Sequence, residues 1–214
     1  MKKLFICFAI AIVGLASLNA QSIRFGAKAG VNFASLGGDV EDADGRTSFH
    51  IGALAEFVIS EKFSFQSELL YSGLGATYEE SESFEGMNFS YEEKIKLDYL
   101  SVPLMAKYYV TDNFSLEGGP IVSFLLSANG EYEGSFDGQT ESEEEDISDF
   151  FKTLDFGLGF GAAYRLSNGL GFSARYTLGL SDISEEPDGT GDFFEEDVSI
   201  NNNVIQVSVL YFFN

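Results

Sequence analysis

The sequence predicts an all-β fold: a transmembrane, antiparallel, up-and-down β-barrel of about eight strands. Three observations carry this. Apolar residues alternate with polar or small ones at a period of two, which places them on opposite faces of a strand. The clearest stretch, Leu97 to Ala128, holds two such runs joined by Thr111-Asp112-Asn113, and the second extends over 13 residues, Phe114 to Leu126. A soluble strand usually has about five or six residues, whereas a tilted strand crossing a bilayer needs roughly nine to eleven. The polar face of these runs carries both signs of charge, as an enclosed interior would, while the other face is apolar, as lipid requires.

The first strand runs from Ile23 to Phe33, with Phe25, Ala27, Ala29, Val31 and Phe33 opposite Arg24, Gly26, Lys28, Gly30 and Asn32. A loop rich in Gly and Asp, Ser35 to Ser48, leads to the second, Phe49 to Ile59, where Phe49, Ile51 and Phe57 oppose His50 and Glu56. Ser60-Glu61-Lys62 is a tight turn into the third strand, Phe63 to about Ala76, which sets Phe65 and Leu69 against Gln66 and Glu68. Thr77 to Glu93 reads as a long acidic loop. In the fourth strand the apolar residues change parity: Ile95, Leu97 and Tyr99 are odd, Leu100, Val102 and Leu104 even. That predicts either a bulge near Leu100 or an upper segment projecting beyond the lipid, and Pro103, lacking a donor, fits a local irregularity.

The fifth strand is Phe114 to Ala128, followed by an acidic loop, Asn129 to Lys152. The sixth, Thr153 to Leu166, alternates Phe156, Leu158 and Phe160 with Asp155, Gly157, Gly159 and Gly161, small residues that relieve crowding in a narrow lumen. Asn168-Gly169 signals a hairpin. The seventh strand, Leu170 to Leu180, places Phe172 and Tyr176 opposite Arg175. A last acidic loop reaches about Ile200, and the eighth strand ends in Ile205, Val207, Val209, Tyr211 and Phe213. Short turns thus alternate with long loops. In outer-membrane barrels the short turns face the periplasm, so both termini are expected there.

The amino terminus reads as an export signal: a basic start, Met1-Lys2-Lys3, an apolar run Leu4 to Leu18, and a small residue, Ala20, before Gln21. The expected organisation is signal peptide 1–20 and barrel 21–214. Cys7, the one cysteine, lies within the signal, so the mature chain has no thiol. Without Lys2 and Lys3 the mature chain has 10 basic and 34 acidic residues, a net charge of −24. Nucleic acid is excluded as a partner, because phosphate binding needs cationic surface. Past the signal no apolar run is long enough for a spanning helix, so strands must cross the membrane.

The long loops hold nearly all the acid. Inside the barrel, Arg24, Lys28, Lys107, Arg165 and Arg175 face Glu56, Glu68, Glu117 and Asp155. Unpaired charge in a confined interior is costly, so these groups are expected to pair. The plain reading is that they fill and rigidify the lumen, since barrels of this size are filled by their own side chains. The sharper reading is an ion or solute path lined by the same residues.

No cofactor is expected beyond weak calcium binding by the acidic loops, whose carboxylates suit that ion. Asp42, Asp44 and Gly45 match part of an EF-hand loop, but Val40 occupies the first ligand position and no Glu follows at the twelfth. His50, the one histidine, has no nucleophile elbow or triad pattern around it. No enzyme is expected.

Several segments resemble the PorT-like family of outer-membrane β-barrel proteins. They are Asp98-Tyr99-Leu100-Ser101-Val102-Pro103-Leu104 with Lys107-Tyr108-Tyr109, then Gly119-Pro120, Asp155-Phe156-Gly157, Ala174-Arg175-Tyr176 with Gly179-Leu180, and the terminal Tyr211-Phe212-Phe213. Asn214 after the last aromatic and the strongly acidic loops depart from the pattern. The resemblance implies the outer membrane of a Gram-negative bacterium. It implies a structural, assembly or secretion-accessory role, with membrane lipid and other envelope or secretion proteins as partners. A narrow passive pore and a surface-binding module using the acidic loops are the rival expectations.

Overall fold

The computed structural model describes residues 22–38, 44–84, 87–136, 139–185 and 199–213. Among these residues nine strands form one antiparallel sheet: β1 Ile23–Gly38, β2 Asp44–Val58, β3 Phe63–Phe84, β4 Met87–Tyr109, β5 Phe114–Phe136, β6 Gln139–Asp146, β7 Leu154–Arg165, β8 Leu170–Gly179 and β9 Ile200–Phe213. Eight of them close a ring in the order β1-β2-β3-β4-β5-β7-β8-β9, with β9 pairing back onto β1. Among the described residues β6 stays outside the ring and pairs only with the far end of β5. Closure removes the open edges that a membrane does not tolerate.

The wall is greasy outside and polar within. Phe156, Phe172 and Val207 are each about half exposed, at 48, 49 and 52%, whereas Arg175 and Glu117 are 2% and 6% exposed. An exposed apolar band of this extent marks contact with lipid.

The tight connections follow the sequence closely. Gly169 has φ +86° and closes the turn after Leu166, a left-handed position that glycine adopts without strain.

Three expected loops are largely strand. β1 continues to Gly38 and β2 begins at Asp44. The segment Thr77 to Glu93 is the continuation of β3 and β4 as a hairpin, with Tyr78 opposite Glu93 and Phe84 opposite Met87. Asn129 to Lys152 is the end of β5, then β6, then a 3-10 turn at Ser148–Phe150. In these segments polar residues occupy successive positions, as in Glu79-Glu80-Ser81-Glu82-Ser83, so the period-two apolar signal vanishes, while the antiparallel ladder of backbone hydrogen bonds persists.

The parity change in β4 has a different origin from a bulge in that strand. Leu97, Tyr99, Ser101, Met105 and Lys107 all point inward, so one face runs through and only its chemistry changes. The pairing slips on the neighbour instead: Asp98 opposes Ser127 and Tyr99 opposes Leu125, which leaves Leu126 of β5 as the extra residue. β3, β4, β5 and β6 do run past the level where β1, β2 and β9 end, but that part lies beyond Thr77 and Lys94, whereas Leu97 and Tyr99 are buried within the mouth.

Residues 1–20, expected to be an export signal, Asp39, Glu41 and Asp42 of the first loop, Asp137 of the third, and the acidic residues from Glu186 to Asp197 lie outside the described residues.

Candidate functional site

The lumen is filled in layers. At the end with the short turns, Glu56 of β2 accepts hydrogen bonds from Ser64 Oγ at 2.7 Å, from the Tyr109 hydroxyl and from Arg165 Nη1 at 3.1 Å. Arg24 Nη1 is 3.6 Å away, with its side chain 38% exposed at the rim. Arg165 also lies between the rings of Tyr109 and Phe212, 5.7 and 5.3 Å from their centroids, so cation–π attraction adds to the ion pair.

The middle layer centres on Arg175 of β8. Its Nη1 and Nη2 meet Glu68 of β3 at 2.9 and 2.7 Å, while Nε and Nη2 meet Glu117 of β5 at 2.9 and 2.7 Å. Lys28 Nζ is 3.1 Å from Glu68, and Lys107 Nζ is 3.8 Å from Glu117. Gln66 bridges them, accepting from Lys107 at 3.0 Å and donating to Glu68 at 2.6 Å. A Cβ on Gly159 would stand 3.3 Å from the Arg175 side chain, so the small residue leaves room for the guanidinium.

Above this sits a neutral layer. Asn32 Nδ2 donates to Ser72 Oγ and Gly73 O at 2.8 and 2.9 Å, which leaves Asn32 Oδ1 to accept from Gln206 at 3.0 Å. His50 Nδ1 is 2.7 Å from the same Oδ1 and Nε2 is 2.9 Å from Ser208 Oγ. Nδ1 therefore carries the proton and Nε2 accepts from Ser208. This histidine is a buried structural link within a polar network.

The charged residues named from sequence thus converge, with one exception. Asp155 of β7 has no ion-pair partner among the described residues. It accepts from Ser181 Oγ at 2.7 Å and from Asn202 Nδ2 at 2.9 Å. Parity alone identifies Gln66, Asn32, Tyr109 and Asn202 as inward, but being uncharged they escape a search for ion pairs.

The mouth at the end away from the short turns is closed by an apolar plug rather than by charge. Phe151 and Ile183, from the segments after β6 and β8, pack with Leu36, Leu74, Leu97 and Tyr99 from the wall. Asp182 fastens this lid: it accepts from Lys152 Nζ at 2.6 Å, Ile200 N at 3.0 Å, Ser184 N at 3.1 Å and Ser184 Oγ at 2.7 Å. Burial alone would raise the Asp182 carboxyl, but these donors together hold it well below the usual carboxylate range.

Beyond the plug, β3, β4, β5 and β6 stand above the rim as a four-stranded sheet. One row crosses all four strands on a single face: Tyr78 opposes Glu93, Glu93 opposes Tyr132, and Tyr132 opposes Glu143. Burial pushes the Tyr78 and Tyr132 hydroxyls up, and the Glu93 carboxylate between them adds to the shift. On β6, Glu141, Glu143, Glu144, Glu145 and Asp146 are exposed, and its far edge pairs with no strand among the described residues. Lys94 pairs with Glu92 at 2.8 Å and Lys96 with Glu131. Among the described residues no group of three or more His, Cys, Asp or Glu side chains is arranged to hold a metal ion.

A family model for an outer membrane protein beta-barrel domain matches residues 19–185. No curated protein matches the chain. Among solved structures, Ail, the attachment invasion locus protein of Yersinia pestis, is 12% identical over 89% of this chain and 98% of its own, with a TM-score of 0.45. Neisserial surface protein A is 10% identical over 88% and 97%, TM-score 0.45. The outer membrane protein OprG from Pseudomonas aeruginosa is 14% identical over 91% and 97%, TM-score 0.41.

Proposed function

Since this chain belongs to the outer membrane protein beta-barrel domain family, we propose that it is a surface-binding module of the Gram-negative outer membrane. Its barrel serves as the anchor and its standing sheet as the binding element for a basic segment of a partner protein. One observation carries the reading: the row Tyr78, Glu93, Tyr132 and Glu143 across four paired strands. Carboxylates supply ion pairs to Lys or Arg, and the interleaved tyrosine rings supply cation–π contacts and apolar area. The acid of β6 extends the same field and steers a cationic partner inward. Both termini face the periplasm in this reading. Phe25 opposes Phe213 at the end where the short turns lie, away from the sheet, which supports a sheet that projects outside the cell.

The filled lumen supports anchoring over a passive pore, because the ion pairs and the apolar plug occupy the axis. A secretion or assembly accessory role is the second reading, favoured by the PorT-like segments from Asp98 to Phe213.

The test uses the full chain in detergent and a fluorescent oligoarginine peptide. Binding is expected to weaken steeply with salt and to fall at least about tenfold, roughly 1.4 kcal/mol, when Glu93, Glu143 and Glu145 become Gln together. Equal binding by both forms overturns the proposal. Loss of an exported protein on deletion of the chain, with peptide binding unaffected by the three changes, selects the accessory role.

A further inference from the structure

Between the charged middle layer and the apolar plug lies a chamber of about 30 Å³, room for one or two water-sized species. Ser72, Ser101, Ser123 and Thr177 line it with hydroxyls, Asp155 and Asn202 with oxygen acceptors, and Leu74 and Val204 close it from the plug side.

Two features of this lining are unusual together. Asp155 is only 6% exposed, yet its carboxylate is met by two neutral donors, Ser181 Oγ and Asn202 Nδ2. Glu56, Glu68 and Glu117, the other inward acids, all have cationic partners. Asn202 is 3% exposed, and its Oδ1 has no hydrogen-bond partner. The amide is not a candidate for flipping. Its Nδ2 serves Asp155 at 2.9 Å and the Tyr99 oxygen at 3.3 Å, and a flip would set oxygen against carboxylate. Ser101 and Ser123 Oγ are 2.9 Å apart, so one hydroxyl donates to the other, and the oxygen of each keeps a lone pair.

The buried Asp155 carboxylate thus has donors but, among the described residues, no cation, and the buried Asn202 Oδ1 has no partner; one cation between them meets both needs. A water would satisfy Asn202 Oδ1 but leave the charge of Asp155 uncompensated, which is costly at this depth. One carboxylate with neutral oxygens balances a single positive charge. Calcium wants six to eight oxygens, drawn from several carboxylates. We propose that the chamber binds one monovalent metal cation, with the Asp155 carboxylate and Asn202 Oδ1 as its fixed ligands and the lining hydroxyls completing its shell. The site is independent of the standing sheet and of any partner bound there.

The test is ion linkage in the refolded full chain, read as the thermal midpoint of the heat-dependent shift on detergent gels. Sodium chloride is exchanged for choline chloride at constant ionic strength. The wild type is expected to rise by several degrees in sodium, because a ligand bound only to the folded state stabilises it. Asp155→Asn is expected to show no difference between the two salts. Identical behaviour of wild type in both salts overturns the proposal. Should the variant fail to fold, wild-type crystals grown in thallium(I) acetate decide. An anomalous peak between Asp155 and Asn202 supports the site, and water density without anomalous signal overturns it.

Discussion

Arg175 and Glu68, 107 residues apart in the chain, meet side by side across the lumen with two parallel hydrogen bonds of 2.9 and 2.7 Å. The pair ties β8 to β3 on the far side of the ring, and the same guanidinium reaches Glu117. Replacing Arg175 with Met leaves two buried carboxylates with Lys28 and Lys107 as their cationic partners, and Gln66 as a neutral donor to Glu68. Removing one partner of a buried pair costs about 3–5 kcal/mol. The expected result is a lower urea midpoint. Arg175→Lys recovers part of the loss, since an ammonium does not reproduce the bidentate fork.

The lipid face makes an opposite demand. Val207 neighbours inward Gln206 and Ser208 on β9 but is 52% exposed on the outer wall. Val207→Arg is expected to cost roughly 2–4 kcal/mol if the residue lies near the bilayer midplane, while Val207→Leu is neutral. Unfolding in lipid vesicles measures both. A neutral Arg there would mean that the outer wall is wet.

The standing sheet depends on one backbone position. Gly75 has φ +122°, and a Cβ there would stand 1.9 Å from Ile95 O. β3 passes through this residue on its way from the wall into the sheet. Gly75→Ala is expected to cost on the order of 1–3 kcal/mol, the usual strain of such a conformation in a residue with a side chain. The barrel's gel shift should survive, while proteolysis between Tyr78 and Asp146 speeds up.

The lid responds to acid in a definite direction. The Asp182 carboxyl lies below its ordinary value in the fold, so folding favours the ionised form. That contribution is complete above about pH 4, the unfolded range, and is lost as pH falls further through the folded value. The protection of the Ile200 and Ser184 amides against hydrogen exchange, taken relative to the unfolded rate at each pH, should be constant from neutrality to about pH 4 and fall below it, since both are bonded to Asp182. Asp182→Asn is expected to remove the pH dependence.

Much of this was readable before the fold was known. The inward and outward sets follow from parity: Phe156, Phe172 and Val207 out, Lys28, Glu68, Glu117 and Arg175 in. The reading erred where alternation carries no apolar contrast, as in Tyr78 to Phe84 and in β6, which pair as strands through their backbones. For Ile95, Leu97 and Tyr99 it offered a bulge near Leu100 or a projecting segment, because an inward apolar residue looks outward until something apolar is known to occupy the mouth.

The sequence by itself determined the cylinder, since the period of two and the length of each run depend only on neighbours along the chain. The tertiary structure decided who pairs with whom inside it. Arg175 chooses Glu68 and Glu117, Asp155 is left to neutral donors, and Phe151 and Ile183 fold back as a plug. Each of these contacts joins residues far apart in the chain, and their distances are set by the closure and register of the ring, which no local pattern encodes.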